Sequence, residues 1–257
     1  MAAKSIKISI FVCVISFFIL WSGCVAPPRE YDHFKLVQQW PPAFCKINKC
    51  TTIVHRPNNF TIHGLWPDNK SGPPLNNCDW NIASEYKLIE DKQLVRRLNM
   101  TWPDLKRRST RHRRRQIFWR EQWNKHGRCA WKFFQKLFPH DEQKHYFKTA
   151  LDLKDKFDLL KILQDKQIKP GNEVDVRHVC RNISQATGGQ DPIVKCTNYT
   201  QNTTGEMVVQ LAEIIICFNR NASDVIHCPP RNGSLYIGCP KSNVVHFLAW
   251  SPTYSAV

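Results

Sequence analysis

The sequence predicts an α+β fold: one antiparallel sheet with helices packed on one side, in a single disulfide-bonded domain. Strand-like segments lie near both ends of the 257-residue chain, and helix-like segments lie between them. A chain of this length can bury a substantial core as one domain. Its eleven cysteines indicate disulfide bonds, provided that the protein matures in an oxidising compartment.

The first 26 residues have the features of a secretory signal. Lys4 and Lys7 precede an apolar run that is too short for a membrane span, and small residues follow it. We therefore expect a signal peptide over 1–26 and a mature domain over 27–257. The mature protein is expected to be a secreted monomer with no stable membrane association.

Charge is the unusual feature of the composition. The sequence has 37 Lys and Arg against 21 Asp and Glu, which gives a net charge of +16. Such a surface attracts polyanions, so nucleic acid is the first candidate partner and an anionic membrane surface the second. The most basic run, residues 106–115, is interpreted either as a solvated loop or as an arm that contacts phosphates.

Two strands are predicted near the N-terminus of the mature chain. Residues 33–40 alternate apolar and polar side chains and stop at two prolines, which is typical of a strand. Residues 60–62 predict a second, short strand. A turn at Gly64 is expected to present His63 and Trp66 at the end of this strand.

The rest of the chain divides into a helical middle and a strand-like C-terminal part. Apolar residues at helical spacing predict helices over 85–100, 116–137, 141–167 (one helix or two) and 174–186. The pattern then changes to that of strands. These predicted strands are residues 193–199, 208–219 and 244–250.

Two segments place a histidine among large aromatic residues, FTIHGLWP at 60–67 and FWREQWNKHGRC at 118–129. If 116–126 is helical, Gln122, Lys125 and His126 share one face. Together with His63 they would form a pair of imidazoles beside a cation, which is the minimum for general acid–base chemistry near neutral pH. The simpler interpretation of either histidine alone is a core or capping residue.

In this order, the two segments resemble the active-site segments of the T-two family of secreted ribonucleases, and the similarity extends over nearly the whole mature chain. The resemblance implies single-stranded RNA as substrate and His63 and His126 as the catalytic pair. It also implies that Lys125 stabilises the pentavalent phosphate, with Gln122 beside it. The positions that match substrate-binding segments are Gln39, Trp66, Asp104, Leu105, Phe118 and Glu121.

Cleavage in such a site would need neither metal nor cofactor. A base takes the 2′-OH proton, the oxygen attacks the adjacent phosphorus, and an acid protonates the departing 5′-oxygen. A 2′,3′-cyclic phosphate is the expected intermediate. The sequence has no cluster of metal-binding residues that disulfides would not explain better.

Three positions depart from the family's commonest pattern. Glu121 stands where a phosphate-binding histidine is usual, Gln122 where glutamate is usual, and Arg128 where threonine is usual. Glutamine hydrogen-bonds but cannot carry a proton or a charge. A catalytically weakened protein that binds RNA or acts in recognition is therefore kept as an alternative.

The resemblance also implies the disulfide pairs Cys45–Cys50, Cys78–Cys129, Cys196–Cys239 and Cys217–Cys228. Cys180 is the expected unpaired cysteine, because it shares a helical face with Val176, Val179 and Ile183. Asn-x-Ser/Thr sites are typical of a secreted glycoprotein. We expect glycosylation at Asn69, Asn99, Asn182, Asn198, Asn202, Asn221 and Asn232, and burial is the expected obstacle at Asn59.

Within the family, the positive charge, the signal and the many glycosylation sites most resemble the S-RNases. These are the pistil ribonucleases of gametophytic self-incompatibility in flowering plants. The likeness implies that the enzyme degrades RNA in self pollen and that pollen F-box proteins are partners. A basic S-like defence or nutritional ribonuclease is the alternative.

Overall fold

The computed structural model of the protein describes residues 30–50, 58–71, 73–78, 84–106, 116–201, 203–230 and 232–250. Three predicted features lie outside the described residues: the signal over 1–26, the basic run apart from Lys106, and the glycosylation site at Asn202. No helix in the described part of the chain combines the length and apolar character needed to cross a bilayer.

Strands flank a mostly helical middle, in the order that an α+β fold requires. The strands are β1 (His33–Gln39), β2 (Thr61–Asp68), β3 (Glu173–Asp175), β4 (Ile193–Thr200), β5 (Met207–Asn219), β6 (Val225–Ile226), β7 (Tyr236–Ile237) and β8 (Val244–His246). The α-helices are α1 (Pro41–Ile47), α2 (Lys92–Thr101), α3 (Ile117–Lys125), α4 (Trp131–Leu137), α5 (Glu142–Lys156), α6 (Leu159–Gln164) and α7 (Val176–Ala186). A short 3₁₀ helix, Gly127–Ala130, joins α3 to α4.

Within the described residues the strands form one eight-stranded sheet, whose main path is β2-β1-β5-β4-β7. The long pairs, β1 with β2 and with β5 and β4 with β5, are antiparallel. The predicted α+β class is confirmed. The predicted antiparallel sheet is confirmed in its long pairs, and two short strands make it mixed, because β7 lies parallel to β4 and β8 parallel to β5. Long connections allow the chain to return in the same direction at these two places.

The helices pack against one face of the sheet, as predicted. A large core joins sheet residues such as Leu36 and Ile216 to the buried sides of α2 to α7. The opposite face carries a smaller cluster built around Val37, Ile215 and Cys217. Burial of each large apolar side chain stabilises the fold by about 1.5–3 kcal/mol. Most of the stability therefore comes from the helical face, and the other face is available for a site.

The helix predicted over 85–100 is shorter than expected. α2 begins after Asp91, whose carboxylate accepts hydrogen bonds from the first free backbone N–H groups of the helix. The residues before Asp91 have no regular secondary structure. The side-chain amide of Gln116 donates to the carbonyl of Ile89 at 2.9 Å and accepts from its N–H at 2.9 Å.

The helix predicted over 116–137 is interrupted at His126. α3 ends at Lys125, and the 3₁₀ helix separates it from α4. Gly127 allows the chain to pass close to Trp123, because a Cβ at this position would lie only 2.3 Å from Cε3 of the indole. Trp123 is a core residue, with 1% of its surface exposed.

Three further boundaries were refined by the structure. The region 141–167 divides into α5 and α6, because the Asp158 carboxylate caps α6. The helix predicted from 174 starts at Val176, since the preceding residues pair with β8 as β3. The strand predicted over 244–250 is only the three residues of β8.

The cysteines pair as the resemblance implies. The disulfides are Cys45–Cys50, Cys78–Cys129, Cys196–Cys239 and Cys217–Cys228. Cys180 is the free cysteine of the described residues and is buried on α7, as predicted. Burial raises the pKa of the Cys180 thiol, which therefore behaves as a small apolar side chain.

Candidate active site

His63 is the extra residue of a β-bulge in β2. In the register with β1, Gly64 lies opposite Val37. Ile62 lies opposite Gln38, the next residue of β1, so His63 has no cross-strand partner. The turn predicted at Gly64 is therefore wrong: β2 continues through this glycine as far as Asp68.

The bulge brings His63 and Trp66 to the same face of the sheet. In a regular strand, side chains at these two positions would point to opposite faces, and the extra residue shifts the alternation by one. Their rings meet edge to face with centroids 5.1 Å apart. The indole lies across Gly64, where a Cβ would come within 1.9 Å of Nε1 of Trp66. Only glycine permits this arrangement.

His126 reaches the same place from the end of α3. Its backbone N–H donates to the carbonyl of Gln122 at 3.0 Å, which completes the last turn of the helix. Its imidazole stacks on the indole of Trp66, with centroids 5.1 Å apart and ring planes inclined by 26°. The two histidines, which are far apart in the sequence, thus both contact one indole.

The environment of His126 favours its neutral form. The residue is 7% exposed, and burial, together with the charges of Lys125 and His63, lowers its pKa to about 3. Asp68 and the backbone of Leu75 act in the opposite direction but are weaker. Near neutral pH this imidazole therefore has a free lone pair and can accept a proton.

Glu213 of β5 supports His63. One carboxylate oxygen accepts a hydrogen bond from Nδ1 of His63 at 2.7 Å, and the other accepts one from Nζ of Lys195 at 3.0 Å. Burial alone would raise the pKa of Glu213, but His63 and Lys195 together lower it. Glu213 belongs to neither histidine segment and was not predicted from the sequence. The available signal was a single carboxylate in the otherwise apolar centre of β5.

Buried aromatic side chains fix the backbone of β2 at the bulge. Nε1 of Trp102 donates to the carbonyl of His63 at 3.1 Å, and the hydroxyl of Tyr146 donates to the carbonyl of Leu65 at 2.8 Å. Trp102 is itself held by Nε1 of Trp119, which donates to its carbonyl at 2.8 Å. These bonds satisfy buried acceptors, so they stabilise the position of His63 as well as the core.

The predicted shared face of Gln122, Lys125 and His126 is only partly observed. Gln122 is 8% exposed, and its Oε1 is buried without a hydrogen-bond partner among the described residues. Lys125 is exposed beside His126, and its carbonyl accepts from the N–H of Asn77 at 2.8 Å. The amide therefore lies inside the protein, whereas the ammonium can meet a ligand from solvent.

The predicted substrate-binding residues are less closely grouped. Gln39 is buried at the end of β1. It lies opposite Glu213 in the register and is therefore next to the residue whose carboxylate bonds His63. Phe118 is half-buried against the main core. Asp104 and Leu105 follow α2, and Glu121 lies on the exposed side of α3. In the described part of the chain, no hydrogen bond links these last three residues to His63 or His126.

The described residues contain no group of three His, Cys, Asp or Glu side chains placed to hold a metal ion.

Most predicted glycosylation sites have accessible asparagines. The exposed ones are Asn99, Asn198, Asn221 and Asn232, and the half-buried ones are Asn69 and Asn182. At Asn59 the amide nitrogen that a glycan would need donates instead to Asp158 at 3.1 Å.

Known proteins are similar to this chain in both sequence and fold. A sequence model described as the Ribonuclease T2 family matches residues 31–228. Ribonuclease S-2 of Antirrhinum hispanicum is 40% identical over 216 residues, which cover 79% of this chain and 82% of that protein. Among solved structures, the self-incompatibility associated SF11-RNase of Nicotiana alata gives a TM-score of 0.69 at 36% identity, covering 86% of this chain and 100% of that one.

A second solved structure is similar to a comparable degree. A variant of RNase MC1, a ribonuclease from bitter gourd seeds, was crystallised in complex with 5′-GMP. It gives a TM-score of 0.65 at 30% identity and covers 85% of this chain and 100% of its own. Because the likeness spans most of each chain in both sequence and fold, the protein belongs to the Ribonuclease T2 family.

Proposed function

We propose that the protein is a secreted endoribonuclease that cleaves single-stranded RNA through a 2′,3′-cyclic phosphate, without a metal or another cofactor. The observation that carries this proposal is the placement of His63 and His126 against the same indole, each with its ring centroid 5.1 Å from that of Trp66. Membership of a ribonuclease family supports the choice of RNA as substrate.

The two imidazoles suit opposite roles in proton transfer. His126 is neutral because of its lowered pKa, so it is suited to take the proton from the 2′-OH. The resulting oxygen nucleophile attacks the phosphorus. His63, whose Nδ1–H is bonded to the Glu213 carboxylate, is suited to protonate the departing 5′-oxygen from Nε2. Lys125, exposed beside His126, would stabilise the negative charge on the phosphoryl oxygens.

The experiment that tests this proposal is cleavage of a short single-stranded RNA by the purified mature protein in EDTA. We expect cleavage to continue in EDTA and the products to carry 2′,3′-cyclic phosphate ends, because proton transfer and charge stabilisation are supplied by side chains. Loss of cleavage in EDTA that added metal restores would contradict the metal-free mechanism.

We also expect kcat/KM to remain high well into the acidic range. His126 must be neutral to act as base, and its pKa of about 3 means that this form persists as the pH falls towards that value. His63 must carry a proton to act as acid, so activity falls as this proton is lost at higher pH. The measurement is kcat/KM from about pH 3 to about pH 9, with the fold monitored by circular dichroism. If kcat/KM instead fell on the acidic side with a midpoint of about 6.5, the ordinary histidine pKa, the assignment of His126 as the base would be contradicted.

One observation favours a second candidate function. Gln122 occupies a buried position beside His126, and its amide cannot donate or accept a catalytic proton. The protein would then be a weakened family member that binds RNA or acts in recognition. Gln122→Glu, assayed beside the wild type in EDTA, separates the two functions. A higher cleavage rate in the variant would measure how much activity is lost by having an amide in place of a carboxylate at this position. RNA binding without cleavage by either form would support the second function.

We infer that the biological setting is that of an S-RNase: a secreted, glycosylated monomer that acts in gametophytic self-incompatibility and meets pollen F-box proteins. The similarity to Ribonuclease S-2 of Antirrhinum and to SF11-RNase supports this setting. A basic S-like defence ribonuclease is the alternative. Expression confined to the pistil, with loss of self-pollen rejection when expression is silenced, would support the first; expression induced in wounded leaves would support the second.

A further inference from the structure

We propose that Glu213 and Lys195 are a positioning pair that controls the proton donor of the reaction. Glu213 fixes the tautomer of His63 and stabilises its charged form, and Lys195 limits this stabilisation because it binds the same carboxylate. The inference rests on the proposed function, in which His63 is the general acid. It assigns a role to two residues that lie outside both histidine segments.

The two oxygens of the Glu213 carboxylate have different partners. Oε1 accepts from Nδ1 of His63 at 2.7 Å, and Oε2 accepts from Nζ of Lys195 at 3.0 Å. A ring whose Nδ1 carries the bonded proton presents Nε2 to the substrate. In the neutral form that Nε2 has no proton to give, so a general acid in this orientation must be the imidazolium. A carboxylate at Nδ1 stabilises that charged ring.

The sheet holds this pair rigidly. Glu213 lies opposite Gln39 of β1 on one side and opposite Lys195 of β4 on the other. The register with β4 shifts directly after Lys195, which places a bulge at Ala212 beside the carboxylate. Bulges next to active sites commonly redirect side chains, and here one lies in β2 at His63 and one in β5 at Ala212. Strand residues hold such a geometry better than loop residues do.

Because Glu213 is more buried than Lys195, it is expected to have the larger effect on the charged form of His63. Among the described residues, His63 bonds Glu213 and Glu213 bonds Lys195, and the charges of His63 and His126 interact. Lys125 and Asp68 are the other charged residues whose influence reaches His126. The Glu213 side chain is 10% exposed and bonds the ring directly, whereas Lys195 is 39% exposed and acts through the carboxylate. Solvent screens an exposed charge more than a buried one, so the effect of Lys195 is expected to be smaller.

The test compares Glu213→Gln with Lys195→Gln, because each change replaces one charged group by the same neutral amide. Glu213→Gln removes the negative charge beside His63, so the alkaline limb of kcat/KM should move to lower pH by about one unit. Lys195→Gln removes the competing cation, so the same limb should move to higher pH by a smaller amount. Lys161→Gln, which removes a lysine from an exposed ion pair on α6, is the matched control and should leave the limb in place.

A second readout does not depend on catalysis. The pH midpoint of the His63 ring resonance, identified by its loss in His63→Asn, should shift in the same two opposite directions. If the wild type does not cleave RNA, the proposed function fails and the resonance still tests the pair. If the wild type cleaves RNA and both variants titrate as it does, or both shift in the same direction, the pair has only a structural role and the inference is overturned.

Discussion

Alanine at His63 or at His126 is expected to abolish measurable RNA cleavage, a loss of about 10³-fold or more in kcat. Each change removes one of the two proton-transfer groups, and no other described imidazole contacts the Trp66 indole. Because the two groups act in one reaction, the double variant should lose little more than either single variant. The measurement is the initial rate on a short single-stranded RNA.

The control for this experiment is His178→Ala. His178 lies exposed on α7, and the described ring contacts of the Trp66 indole do not include it, so its loss should leave the rate unchanged. Circular dichroism and thermal unfolding establish that each variant is folded. Wild-type rates in a folded His63→Ala or His126→Ala protein would refute the catalytic assignment.

Alanine at Gly64 is expected to reduce kcat/KM about 10²-fold while the protein still folds. The added Cβ would lie 1.9 Å from Nε1 of Trp66, so the indole must leave the position in which both imidazoles contact it. A displacement of about 1 Å in a catalytic constellation is enough for a loss of this size. The rate on single-stranded RNA and the unfolding midpoint are measured for the same preparation.

A double-mutant cycle identifies the route of this effect. If Gly64→Ala acts through the indole, adding it to Trp66→Ala should cost little further activity, because the clash partner has already been removed. Full additivity of the two losses would show that the glycine has another role, such as a direct contribution to the backbone of the bulge.

Much of this architecture could be predicted from local patterns. Strand and helix periodicities predicted the α+β class, and the helical face of Cys180 predicted an unpaired, buried thiol. The resemblance of the two histidine segments implied the four disulfide pairs that the structure contains. It also selected the two histidines that the fold brings to one indole. These features depend on residue type and spacing, which the sequence contains in full.

Boundaries were predicted less well wherever a distant partner decided them. The segment before α2 is not helical because Gln116 binds both backbone groups of Ile89, and no local pattern at 85–90 reveals this partner. The break after α3 depends on the close approach of Gly127 to Trp123. In both places tertiary contacts override a helical periodicity that is present in the sequence.

The sequence by itself determined the chemical groups of the site: two imidazoles, a lysine and the glycine beside the indole. Only the tertiary structure decided how they act. Strand register placed His63 in a bulge and brought Glu213 to its Nδ1, and burial lowered the pKa of His126 to about 3. The physical reason is that cross-strand register and desolvation depend on groups distant in the chain, whereas motifs record only local order.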